Sequence, residues 1–174
     1  MTAAIAFYQL LATTSFTLLG LWFVVVGLSH GPWRTDLTRH RYDLHVALHF
    51  LLPGATGLAA VLAGGEPLFW RAAALLAAVA GVAESIAFLG APHFPRAPAG
   101  RILRSLDPLL YALVGAAAVT SLPIANVVPM QVEGAATGLV FLAGTAYLWL
   151  AYAERPTPRP PAAAPDRARA PFPM

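Results

Sequence analysis

The chain has no cysteine among its 174 residues. That excludes disulfides, thiolate zinc sites and cysteine-held iron–sulfur clusters. Lysine is absent too, so all eleven basic residues are arginine. Arginine without lysine, beside abundant Ala, Gly and Pro, points to a high-GC bacterial coding sequence. Charge of either sign is scarce: 11% of residues are charged, against roughly 25% in an ordinary soluble domain. Catalytic signatures are missing as well. There is no Gly-x-Ser-x-Gly elbow, Walker loop, dinucleotide fingerprint or HExxH helix. Five histidines are too few for a many-ligand di-iron membrane oxygenase. No direct or inverted repeat is visible, which argues against a transporter built from two related halves.

What the sequence does hold is apolar: 58% of residues are hydrophobic. They fall in blocks separated by Arg-bearing connectors, as a bilayer requires of segments that must cross roughly 30 Å of hydrocarbon with about 20 apolar residues. The expected fold is an all-α polytopic membrane protein, a bundle of five transmembrane helices. Its spans are expected at about 5–28, 44–63, 68–89, 107–127 and 131–153. Nothing basic precedes the first run and it is too long for a signal-peptide core, so it reads as a retained helix. Residues 154–174, rich in Pro, Ala and Arg, read as a disordered cytoplasmic tail.

Five spans distribute the arginines unevenly. Arg34, Arg39 and Arg41, then Arg96, Arg101 and Arg104, then the four of the tail fall on one side. Only Arg71 falls on the other. The positive-inside rule makes the Arg-rich side cytoplasmic and leaves the amino terminus outside. The basic balance is thus a matter of topology, and these connectors suit anionic lipid headgroups rather than nucleic acid.

Polar residues inside spans are costly in lipid and mark candidate sites. His45 and His49 lie one turn apart on the second span, and Glu84 lies on the third. The rise per residue puts His49 and Glu84 both roughly 7 Å from the midplane, so a hydrogen bond between them is expected. The trio suits a proton relay, an ion site or a metal site, with His45, His49 and Glu84 as ligands if a metal binds. It suits bis-histidine haem less well, since both histidines share a helix. The alternative is structural, with His45 among headgroups and Glu84 bonded between helices. Gln9, Thr13 and Thr17 form a polar stripe on the first span. The stripe could line a path, or its hydroxyls could bond their own helix carbonyls. Asp107 and Tyr111, one turn apart at the expected entrance of the fourth span, are further candidates to line a path; the alternative for Asp107 is a helix cap ahead of Pro108.

Small residues make close-packing seams at Ala73, Ala77, Ala80 and Glu84, and at Gly134 and Gly138. Pro53-Gly54 interrupts the second span one turn beyond His49. Tyr147, Trp149 and Tyr152 read as an interfacial aromatic belt. Function narrows to three readings. The first is a homo-oligomeric ion or proton channel or small-solute transporter. The second is a membrane enzyme or redox subunit with a His/Glu metal site. The third is a non-catalytic scaffold or assembly protein. No cofactor is specified by the sequence.

Overall fold

The computed structural model describes residues 3–28, 37–64, 66–90, 98–120 and 129–153. Five helices account for nearly all of them: α1 Ala3–Leu28, α2 Leu37–Leu62, α3 Pro67–Leu89, α4 Pro98–Val119 and α5 Pro129–Ala153. Each is long and apolar enough to cross a membrane. The tail expected to be disordered lies outside the described residues, as do the connectors at 29–36, 91–97 and 121–128.

Proline sets three of the starts. Pro67, Pro98 and Pro129 each stand first in their helix, where a missing N–H costs nothing and φ is already helical. The α2–α3 hairpin closes through Gly64 at φ +58°, a left-handed backbone that favours glycine. The Glu66 N–H donates to the Ala63 carbonyl across that turn at 2.9 Å.

α4 differs from expectation. It begins at Pro98, so Asp107 is no cap but a fully buried residue near the middle of the helix. Pro108 also lies inside. A proline there removes only the bond to the carbonyl one turn earlier, a defect that membrane helices tolerate when neighbours re-satisfy the freed group. Pro53 is likewise inside α2.

The helices form a ring in chain order, with α2 and α5 also touching across the middle. α2 is the most enclosed of the five. Three layers of buried side chains stack along the bundle. Tyr8, Leu11, Ala60, Trp70 and Met130 fill one end. The middle is narrow, with Ala74, Ala78, Ala117 and Ala136 around Tyr111, Val114 and Val140. The other end is aromatic, built on Trp22, Tyr42, Phe50, Phe88 and Tyr147. Leu10, Leu62, Leu68, Leu76 and Trp149 point outward with two-thirds or more of their surface exposed. So much large apolar surface on the outside is the inverse of a soluble protein and fits lipid contact.

Small residues permit the close approaches. A Cβ placed on Gly81 would overlap the Tyr111 ring, and one on Gly57 would come 2.8 Å from the Tyr8 carbonyl oxygen. The inward face of α3 is Trp70, Ala74, Ala78, Gly81, Ser85 and Phe88. Ala80 of the expected seam is exposed. Gly134 and Gly138 pack against Phe7 of α1, within the chain.

Candidate functional site

At the aromatic end, four helices bring polar groups to one point. His45 and His49 come from α2, Glu84 from α3, Asp107 from α4 and Tyr147 from α5. The hairpin sets the first pairing. Eighteen residues back from Ala63 is His45, and eighteen on from Glu66 is Glu84, so the two stand level. The His45 Nδ1 lies 2.5 Å from a Glu84 carboxylate oxygen. The expected His49–Glu84 bond is therefore corrected: Glu84 pairs with the histidine one turn away. The reading of His45 as a headgroup residue also fails, because it is fully buried.

Its ring is held flat against Phe88, with centroids 3.9 Å apart and 14° between planes. The His45 Nε2 faces one Asp107 oxygen at 3.0 Å. The His49 Nε2 faces the other at 3.4 Å. His49 Nδ1 donates to the His45 carbonyl at 2.9 Å, and the Tyr147 hydroxyl donates to Asp107. Tyr147 is thus a buried partner of Asp107 rather than part of an interfacial belt, while Trp149 and Tyr152 remain exposed.

A donor count exposes the chemistry. Four ring-nitrogen contacts end on oxygen acceptors: Glu84, the His45 carbonyl and both Asp107 oxygens. A carbonyl and an ionised carboxylate only accept, and a neutral imidazole carries one N–H. Two neutral rings therefore leave two of these contacts short of a hydrogen. Two extra protons or one divalent cation would supply what is missing, and either also balances the carboxylates of buried Asp107 and part-buried Glu84.

The arrangement fits a metal in one further respect. Each Nδ1 is taken by an acceptor, Glu84 for His45 and the His45 carbonyl for His49. That is the outer-shell bond by which metal-ligating histidines are oriented. Both Nε2 atoms then turn to one carboxylate, and one ligand atom from each of His45, His49 and Asp107 lies within 4.8 Å of the others. Zinc-class bonds of about 2.0–2.1 Å to tetrahedral ligands imply ligand edges of roughly 3.3 Å. The Nε2–Asp107 contacts of 3.0 and 3.4 Å are of that order but run to different Asp107 oxygens, so they are not two edges of one tetrahedron. Among the described residues, the group spaced to hold an ion is His45, His49 and Asp107, with Glu84 bonded to His45 Nδ1 beside it.

Two arginines close this end. Arg41 donates to the Ala87 carbonyl at 3.0 Å, and Arg104 to those of Phe88 and Leu89. They satisfy the last-turn carbonyls of α3. Tyr111 extends from Asp107 toward the middle layer, its ring 5.5 Å from that of His49.

Gln9, Thr13 and Thr17 are not gathered into this site. All three are exposed on the outside of α1. Thr13 donates to the Gln9 carbonyl at 2.9 Å and Thr17 to that of Thr13 at 2.8 Å. These are the helix-carbonyl bonds of the second reading of the stripe, and the stripe does not face the interior of the single bundle.

A second buried carboxylate escaped the sequence reading. Glu133 of α5 is fully buried at the opposite end, bonded to Tyr8 and to Thr137, whose hydroxyl lies at 2.5 Å. An acid four residues before a threonine inside an apolar run was the available signal. Comparison of the chain with protein-family models, curated proteins and solved structures gave no match.

Proposed function

We propose that the chain is a multi-pass cell-membrane protein that binds a zinc-class divalent cation inside its bundle and serves ion transport. His45 Nε2, His49 Nε2 and Asp107 are the ligands. Glu84 and the His45 carbonyl orient the rings, and Tyr147 holds the Asp107 carboxylate. The observation that carries this reading is a convergence: both Nε2 atoms face the same carboxylate, while each Nδ1 has an acceptor of its own.

In this reading the Arg-rich side is cytoplasmic, by the positive-inside rule. The amino terminus is then outside, and the cation centre lies in the cytoplasmic half among Arg41 and Arg104. Those arginines, with Arg101, also meet anionic headgroups. Glu84 retains 17% side-chain exposure while its partners have none, which makes it the cation's point of entry. The outward Gln9–Thr13–Thr17 stripe supports a contact between copies in a homo-oligomer, since polar side chains bond across membrane helices.

Metal content and metal uptake test the two parts separately. Full-length protein purified in detergent is expected to hold about one zinc-class ion per chain, and His49→Ala to hold none. Protein that stays metal-free in micromolar zinc sinks the binding claim. Proteoliposomes that bind but do not take up the ion retain the centre and remove the transport role.

A further inference from the structure

We infer that Glu133 is a second, metal-free cation site whose ligand is a proton, at the end of the bundle opposite the histidine centre. The proton site does not rest on the transport reading above. Its surroundings are short of one hydrogen. The Tyr8 hydroxyl has a single proton but two acceptor neighbours, the Met130 carbonyl at 3.0 Å and the Glu133 carboxyl group. Thr137 donates to the other Glu133 oxygen at 2.5 Å. The count closes when Glu133 is the neutral acid: it donates to Tyr8, and Tyr8 donates to Met130.

Among the described residues, the hydrogen bonds to Glu133 come from neutral hydroxyls, Tyr8 of α1 and Thr137 of α5. Ala60 of α2 and Trp70 of α3 pack in the same layer, with Arg71 over the Trp70 ring. A carboxylate left ionised there would be a buried charge held by neutral donors, a state that proteins avoid by neutralising the group. The donor set also separates the two sites. Nitrogen lone pairs at the histidine centre suit a transition metal, whereas this site has oxygens only.

Glu133 and Tyr147 lie roughly 21 Å apart along α5 at 1.5 Å per residue. The cavity between them is no larger than a water and its lining is apolar, so the proton site stands apart from the histidine centre.

Infrared difference spectroscopy on the full-length protein in liposomes tests this directly. A protonated-carboxyl C=O band at neutral pH is expected, shifted in heavy water, absent in Glu133→Gln and retained in Asp107→Asn. Tyr8→Phe should move the band without abolishing it, which keeps the test usable if Glu133→Gln does not fold. A wild-type spectrum without the band, or one unchanged in Glu133→Gln, overturns the proton site. Zinc binding keeps the two readings apart: Glu133→Gln should bind zinc as the wild type does, and absent zinc binding in the wild type removes the transport reading and leaves the proton site standing.

Discussion

Gly144 and His49 are in contact across the α2–α5 interface: a Cβ added at Gly144 would come 2.8 Å from the His49 Cβ. The bare glycine is what lets α5 approach close enough for Tyr147 to reach Asp107. Gly144→Ala should therefore cost about 1–3 kcal/mol, the range for overpacking a filled core, and should weaken zinc binding. Gly138→Ala is the control, since its Cβ would meet only Phe7 at an ordinary 3.5 Å. Thermal unfolding in detergent should separate the two, and equal melting temperatures would show that this contact does not fix His49.

Ligands and orienting groups should differ in degree. Asp107→Asn removes the carboxylate that both Nε2 atoms share and is expected to abolish zinc binding. Glu84→Gln removes only an outer partner, for which losses of about 10–100-fold in affinity are typical. Titration calorimetry on the two variants should rank them so. A larger loss in Glu84→Gln would make Glu84 the ligand and Asp107 the support.

Tyr147→Phe leaves an Asp107 oxygen without its hydroxyl donor. That oxygen keeps the His45 Nε2 as a neighbour, so the loss is that of one hydrogen bond to a charged group, about 1.5–3 kcal/mol. The loss should appear in the melting temperature of the metal-free protein and shrink when zinc is added, because the ion takes over the freed oxygen. A deficit that zinc does not reduce would separate Tyr147 from the cation centre.

Thr13→Val and Thr17→Val are expected to be nearly silent in the stability of the single chain. Each hydroxyl donates to its own helix and faces outward, and exposed substitutions usually stay within about 0.5 kcal/mol. If copies associate through this stripe, the same pair should reduce crosslinking between chains. A drop in monomer stability with unchanged association would reverse the assignment.

Five membrane-length helices were legible because hydrocarbon imposes length and apolarity residue by residue. Side-chain partnership was not, because it depends on rotation about each helix axis and on register between helices. Asp107 illustrates the difference. The Asp-Pro pair carries a helix-start signal, yet Pro98 had already begun the helix, and the signal concealed a buried ligand. His45 and Glu84 were level by the hairpin register, which a depth estimate from each helix centre missed by one turn. The threonine stripe was visible, but its rotation toward the outside was not. Glu133 lay close to the expected start of a span, where a carboxylate draws little notice.

The histidine centre also imposes an order in time. α2 carries His45 and His49 into the membrane before their partners exist, since Asp107 follows His49 by 58 residues in the chain. Tyr147 is separated from Asp107 by 40 more. During synthesis the two imidazoles must wait in a half-built protein, His49 on the His45 carbonyl of its own helix and His45 on Glu84 of the neighbouring hairpin helix. The α2–α3 hairpin is therefore the first unit able to give these groups a side-chain partner. Later helices arrive at a polar docking point that is already in place and selects the rotation of each newcomer.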